Sequence, residues 1–425
     1  MQKTHIFDFI QCFSDALDLI VPDLSGHHKR VAYIGRAIAA ALGLSEDRQY
    51  VLLTAGMLHD AGALTLKSRM DALQFETGET SHAETGYRLL RSWPALTGAA
   101  EIIRGHHARY DARGNGCGEY CEEAYILHLA DRVDALLRRG EFVLDQAPRV
   151  CREMKRRKGT QFDPAHVEAF LSLADKEYFW LDITADNLRD ILGRVSRALC
   201  DGGAPPAIEE IEDFTRLFTH VIDFRSRFTA THSAGVSATA AMLGEIAGFD
   251  PSKARRLRIA GYLHDLGKLA VPAELLDKQG PLTPAEFNRI KSHAYHTHRL
   301  LLELPGMDDI RIWAASHHET PTGQGYPFHF KDDQLPLGAR VMSAADVFTA
   351  LSEDRPYRAG MEKKEAAGVL QTMAAEGRLD PRIMDMLFDA YDALDAVRRT
   401  AQQDALSAYA IFQGRNAPGE NALGG

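Results

Sequence analysis

Apolar residues recur at three- and four-residue spacing along most of this chain. The stretches HKRVAYIGRAIAAALGL (28–44), AETGYRLLRSW (83–93) and ARVMSAADVFTALSE (339–353) gather Leu, Ile, Val and Ala on one side. That is the period of an amphipathic helix, whereas a half-buried strand alternates every second residue. Strand-like alternation is scarce, so the pattern predicts an all-α fold.

The pattern also repeats itself. A first series runs His27, His59-Asp60, His82, His106-His107 and Asp131. A second runs His232, His264-Asp265, His293, His317-His318 and Asp346. The step from the first His to the His-Asp pair is 32 residues in both series, and from the middle His to the His pair it is 24 in both. Flanking residues agree, GMLHDAG with GYLHDLG and SHAETGYRLL with SHAYHTHRLL, and each series is followed by a similar segment, GTQFDPAHVEAFL or EGRLDPRIMDML. A tandem duplication of one helical domain is the reading this supports. The expected layout is an N-terminal domain over 1–200, a linker and leading helix over 201–220, a second domain over 221–400 and a tail over 401–425. The linker is marked by the Gly and Pro pairs of DGGAPPAIEE, and the Gly- and Asn-rich end GRNAPGENALGG reads as disordered.

Composition narrows the class. Of 425 residues, 45% are hydrophobic and 25% charged, ordinary values for a globular protein. No apolar run reaches the roughly 18 residues of a membrane span, and no signal peptide is read at the N-terminus. The net charge of −10 argues against a DNA-coating protein. Five scattered cysteines make no disulfide framework, and Cys117 and Cys121 lack a second pair that would suggest a metal site. A reducing cytoplasm is the expectation.

The 18 histidines carry the chemistry, because they cluster with aspartates. Imidazole and carboxylate together suit divalent transition metals. Gly62 and Gly267, two residues past each His-Asp pair, fit helices that end there, aiming His264 and Asp265 into a shared cavity. His232 and Asp346 can complete one metal. His293, His317 and His318 are too many for that metal and imply a second, with Asp265 bridging. Two metals roughly 3.5–4 Å apart form a clamp for phosphate esters, and they lower the pKa of bound water towards about 7. Lys268 can hold a phosphate oxygen or protonate a leaving group.

The second repeat resembles the HD-GYP family of the HD superfamily over about residues 220–395. The resemblance rests on His232, His264-Asp265-Leu266-Gly267-Lys268, His293, His317-His318-Glu319, Gly323-Gln324-Gly325-Tyr326-Pro327, Asp346 and Asp354-Arg355-Pro356-Tyr357-Arg358. It implies a helical bundle with two or three metals, commonly iron or manganese, that hydrolyses cyclic di-GMP or, in some members, cyclic GMP-AMP. By the same resemblance His232, His264, Asp265, His293, His317, His318 and Asp346 are metal ligands. Asp265 and Lys268 are catalytic, Lys268, Arg355 and Arg358 contact substrate phosphate, and Gly325, Tyr326 and Pro327 shape a loop beside the site and serve partner contacts. Thr320 and Thr322 stand where the family usually has Arg and Asp. Phe228 stands where a third-metal Glu is expected, which favours two metals.

The first repeat resembles a plain HD domain. His27, His59, Asp60, His82, His106, His107 and Asp131 are all kept, Ala63 replaces the Lys, and ARYDARGNGCGE replaces the Gly-Tyr-Pro loop. Three readings stay open for it: a metal site acting on a simpler nucleotide ester, a regulatory metal or nucleotide domain, or a structural relic. The kept ligands argue against a relic, since an unpaired buried Asp is costly. The expected activity of the chain is metal-dependent hydrolysis of a cyclic dinucleotide, cyclic di-GMP first. Its rivals are a cyclic GMP-AMP phosphodiesterase, a phosphomonoesterase and a non-catalytic nucleotide sensor. Signalling-protein partners and a homodimer are expected, DNA and membrane are not.

Overall fold

The computed structural model describes residues 5–20, 25–63, 81–113, 120–200, 206–225, 231–354 and 359–412. Helices make up the secondary structure among these residues. Among the described residues the extended pairings are two isolated bridges, Lys158 with Phe162 and Thr322 with Lys331. The chain divides into two compact units, one from His5 to Pro205 and one from Pro206 onward.

The first unit holds α1 (Ile6–Asp18), α2 (His27–Ala41), α3 (Glu46–Leu58), α4 (Ser81–Leu90), α5 (Thr97–Arg104), α6 (Glu122–Ala135), α7 (Val143–Arg156), α8 (Pro164–Ala174), α9 (Glu177–Ile183) and α10 (Leu188–Leu199). Its core is aromatic: Phe7, Phe13, Phe162, Phe170, Phe179 and Trp180 are buried. Fully burying a Phe-sized side chain contributes about 1.5–3 kcal/mol. The second unit holds α11 (Ile208–Arg225), α12 (His232–Ile246), α13 (Pro251–Leu263), α14 (Pro284–Leu302), α15 (Asp308–Ala315), α16 (Leu337–Ser352), α17 (Lys363–Ala375), α18 (Pro381–Asp389) and α19 (Tyr391–Phe412).

The helix starts are written locally. Asp250, Asp163 and Asp380 each accept a backbone N–H in the first turn of α13, α8 and α18, with Pro at the first helical position. Thr283 and Glu286 close a reciprocal capping box on α14.

Glycine sets the approach of the site-bearing helices. A Cβ on Gly56 would lie 2.5 Å from Ala32 Cα, and one on Gly261 would lie 2.5 Å from Ser237 Cα. So α3 crosses α2, and α13 crosses α12, backbone against backbone. The helices α3 and α13 do end at the His-Asp pairs, with His59 and His264 as C-caps. The reason differs from the one expected for Gly62 and Gly267, because neither has a positive φ. A Cβ on Gly62 would sit 2.1 Å from His82 O, and on Gly267 1.9 Å from His293 O. These glycines admit α4 and α14 to the helix end.

Two expected boundaries fall inside helices. α11 runs through residue 220, and α19 continues through residue 400 to Phe412, carrying a buried Arg398 and Gln402. The Gly-rich end of the tail, the 201–205 part of the linker and Cys117 lie outside the described residues. Among the described cysteines, Cys121, Cys151 and Cys200 are free thiols. No described helix is long and apolar enough to cross a membrane.

Candidate metal centre

In the C-terminal unit, five different helices or helix ends converge on one buried spot. His232 opens α12, His264 caps α13, Asp265 follows it, His293 lies mid-α14, His317 and His318 follow the end of α15, and Asp346 lies on α16. Ligand atoms of His232, His264 and Asp346 lie within 4.8 Å of one another. The same holds for His293, His317 and His318, and for His264, Asp265 and His317. Asp265 stands between the groups, with Oδ2 3.1 Å from His264 Nε2 and Oδ1 3.6 Å from His293 Nε2.

Backbone carbonyls orient three of the rings. His264, His293 and His317 each donate Nδ1–H to the carbonyl three residues earlier, Gly261 (2.7 Å), Ile290 (2.5 Å) and Ala314 (2.6 Å). A carbonyl oxygen only accepts, so the proton is on Nδ1 and the Nε2 lone pair faces inward. Burial pushes the His293 pKa down to about 3, and burial, with His318 and His264 adding to it, holds His317 well below its ordinary value. Both rings are therefore neutral at pH 7. Their Nε2 atoms nonetheless face each other at 3.3 Å. Two lone pairs opposed at that distance, in a buried site, call for a cation between them.

The carboxylates make the same demand. Asp265 Oδ1 is buried and has no hydrogen-bond partner among the described residues, an arrangement that is costly unless an ion binds there. Burial works against ionising Asp265 and Asp346. Neighbouring His264 and Lys268 outweigh it at Asp265, and His232 does so at Asp346, leaving both well below the usual carboxylate range. At His232, burial opposes protonation but Glu353 and Asp346 overcome it, raising its pKa to about 10. A side-chain set that recruits a proton in this way fits a divalent ion.

Two supporting roles were not assigned from the sequence, that of Glu353 and that of Glu319, although Glu319 stands in the motif that carries the resemblance. Glu353 receives His232 Nδ1 at 3.1 Å and is itself held by Gln402 Nε2 at 3.0 Å, so the α19 segment supports the site. Its place seven residues past Asp346 is the sole sequence signal. Glu319 is buried and accepts backbone N–H bonds from Phe328 (2.6 Å), His329 (3.1 Å) and Phe330 (3.1 Å). It thereby anchors the loop that carries Gly325-Tyr326-Pro327. A Cβ on Gly325 would lie 2.4 Å from Glu319 Cα, and the Tyr326 ring lies over His318 with centroids 4.8 Å apart. Thr320 and Thr322 bond each other at 3.0 Å, and Thr320 also takes Gln324 N–H at 3.1 Å. Lys268 donates to Asp265 Oδ2 at 2.6 Å with a quarter of its side chain exposed. Arg355, Arg358 and Phe228 lie outside the described residues.

The N-terminal unit repeats the geometry. His27, His59 and Asp131 form one group and His82, His106 and His107 another. Asp60 lies between them, with Oδ2 3.7 Å from His59 and Oδ1 3.7 Å from His82. His59 and His106 donate Nδ1–H to Gly56 O (2.9 Å) and Ile103 O (2.6 Å). The His27 and His59 Nε2 atoms are 3.2 Å apart. His27 Nδ1 bonds Asp134 at 2.7 Å, a partner the sequence reading also missed.

Comparisons with known proteins agree with this duplication. One HD-domain family model matches residues 24–136 and another matches 216–383. The 3'3'-cGAMP-specific phosphodiesterase 1 of Vibrio cholerae is 28% identical over 386 residues, covering 88% of this chain and 89% of that protein. The cyclic di-GMP phosphodiesterase response regulator RpfG of Xanthomonas campestris is 34% identical over 195 residues, covering 44% of this chain and 50% of that protein. A crystal structure of a cyclic GMP-AMP-specific phosphodiesterase from V. cholerae shares the fold, with a TM-score of 0.64 at 23% identity over 92% of this chain and 98% of that one. Two matched HD domains, each with a buried histidine–aspartate cluster, place this chain in the HD superfamily, and its similarity to cyclic-dinucleotide phosphodiesterases makes it a metal-dependent hydrolase.

Proposed function

We propose that the C-terminal unit hydrolyses a cyclic dinucleotide with two divalent ions, iron or manganese. The observation that carries this is the opposed pair of Nε2 lone pairs on His293 and His317, beside the orphaned Oδ1 of Asp265. His232, His264 and Asp346 would hold one ion, His293, His317 and His318 the other, and Asp265 would bridge them. Ions bound there would supply an activated water and neutralise phosphoryl charge.

The chain's own groups do the remaining work. Lys268, partly exposed and anchored on Asp265, is placed to hold a phosphate oxygen or give a proton to the leaving oxygen. Glu353 orients His232, and backbone carbonyls orient three other ligand rings. Tyr326 walls one side through His318, with Gly325 and Pro327 shaping its loop. Arg355 and Arg358 would take substrate phosphate. In the N-terminal unit, His27, His59, Asp60, His82, His106, His107 and Asp131 would hold metal as well. Turnover of the cyclic substrate is assigned to the C-terminal unit because Ala63 leaves the other without the lysine.

Cyclic di-GMP is the first substrate reading, and it has the support of relatives that match the C-terminal part, such as RpfG. Cyclic GMP-AMP is the second, favoured by the name of the relative that matches across both units. The free thiols fit a reducing cytoplasm. The test is turnover of both nucleotides by anaerobically purified protein loaded with iron or manganese, with Asp265→Ala as control. Cleavage that the control lacks supports the reading and ranks the substrates. Metal-replete protein that leaves both nucleotides intact would sink it.

A further inference from the structure

Phe287 stands at the start of α14, just past the capping box of Thr283 and Glu286, and is 44% exposed. A lone exposed ring calls for no explanation. This one meets Tyr326 edge-on, with centroids 6.1 Å apart and planes at 85°. Tyr326 in turn lies against two rings of the histidine cluster, His318 at 4.8 Å and His293 at 6.4 Å. Phe287 is therefore the outer member of an aromatic series that begins at the candidate metal centre and ends at solvent.

A cation adjoins it. One turn further along α14, Lys291 holds its ammonium 5.3 Å from the Phe287 centroid. An exposed cation–π contact is weak, and the lysine stem is flexible. A flat ligand can take the ring face while the ammonium moves to the ligand's edge. A nucleobase suits such a place, because every base has a π-face that stacks on an aromatic side chain. Guanine offers O6 and N7 along one edge, two acceptors that a lysine can serve. Adenine pairs N7 with an amino donor, which a lysine cannot serve.

The first repeat has no counterpart. At the matching distances before His82 it carries Glu76 and Thr80, neither an aromatic ring nor a cation.

We propose that Phe287 is the stacking platform for one base of the cyclic dinucleotide, and that Lys291 selects guanine there. The proposal rests on the hydrolysis assigned to the C-terminal unit. That reaction puts a phosphate at the histidine cluster, so the attached base extends outward, along the ring series toward solvent. Cyclic di-GMP and cyclic GMP-AMP each bring a guanine to this place; cyclic di-AMP brings none.

The experiment uses the metal-loaded full chain with all three cyclic dinucleotides. Phe287→Ala should raise KM for cyclic di-GMP about tenfold and leave kcat within about twofold, since a stacked base is held equally in the ground and transition states. Phe287→Tyr should restore KM. Lys291→Ala should shrink the kcat/KM preference for cyclic di-GMP over cyclic di-AMP about fivefold. Binding is read separately in Phe287→Trp, where cyclic di-GMP should quench indole emission saturably, beyond any response of the three native tryptophans. A ring that serves only to pack α14 would lower the thermal midpoint of Phe287→Ala and leave KM unchanged, which would overturn the proposal. Turnover with no quench in Phe287→Trp would overturn the platform alone. Quench in protein that cleaves no cyclic dinucleotide would sustain the platform while the hydrolysis reading fails. Equal kcat/KM for cyclic di-GMP and cyclic di-AMP in the native chain would overturn the role of Lys291.

Discussion

The two units share a ligand order but distribute charge around it differently. In the C-terminal unit Lys268 meets the central Asp265 at 2.6 Å, while the residue after the closing Asp346 is Val347. In the N-terminal unit Ala63 replaces the lysine, and Arg132 instead grips the closing Asp131 at 2.6 Å. Beside the central Asp60 the N-terminal unit adds His28, with Nε2 4.0 Å from Oδ2, where the C-terminal unit has Ser233. The support behind the first histidine differs too: Asp134, three residues past the closing aspartate, serves His27, whereas Glu353, seven residues past it, serves His232. Duplication preserved the ligands. The cation stands beside the central carboxylate in the C-terminal unit and beside the closing carboxylate in the N-terminal unit.

The largest effect should come from the central carboxylates. Asp265→Ala should cut cyclic-dinucleotide turnover by about 10³-fold or more, because it removes the carboxylate that stands between the two histidine groups. Asp60→Ala should leave kcat within about twofold, if the N-terminal unit takes no part in that chemistry. Chromatographic turnover assays on both variants check this, and equal losses would break the division of labour.

Next in size are the packing glycines. Gly267→Ala and Gly62→Ala each force a Cβ to about 2 Å from a backbone carbonyl. Each should destabilise its own unit by about 3 kcal/mol or more. Thermal unfolding should show the loss, and Gly62→Ala should leave the C-terminal reaction largely intact.

The supporting carboxylates come third. Glu353→Gln should weaken metal binding in the C-terminal unit about 10- to 100-fold, and Asp134→Asn should do the same in the N-terminal unit. Metal titration monitored by mass spectrometry would separate the two. Loss from the same unit in both variants would contradict the pairing seen here.

The smallest effect is a proton count. In metal-free protein the His232 pKa of about 10 lies above its ordinary 6.5. Its protonated pair with Glu353 and Asp346 therefore stabilises the unit fully below pH 6.5, and that contribution is lost as pH rises through about 10. A metal needs the neutral ring, so binding near pH 7 should release about one proton from this residue, with affinity rising as pH rises towards 10. Calorimetry in buffers of different ionisation enthalpy reads that proton directly. Heat independent of buffer would refute it.

Much of this was legible in the chain. The helical period and the duplication follow from residue order, and the histidine–aspartate series comes together in each unit. Gly62 and Gly267 were legible as helix ends but misread in cause, since close approach to another helix leaves no local signature. Glu353, Glu319 and Asp134 were not legible as support, because a buried carboxylate looks like a surface one until the fold covers it.

The sequence by itself determined which side chains meet, because repeated spacing on helices of fixed rise carries them to the same places in both units. Only the tertiary structure decided which ring nitrogen faces inward, which carboxylate oxygen is left without a hydrogen bond, and where each unit puts its cation. Those outcomes depend on backbone carbonyls and helix crossings that linear order does not encode.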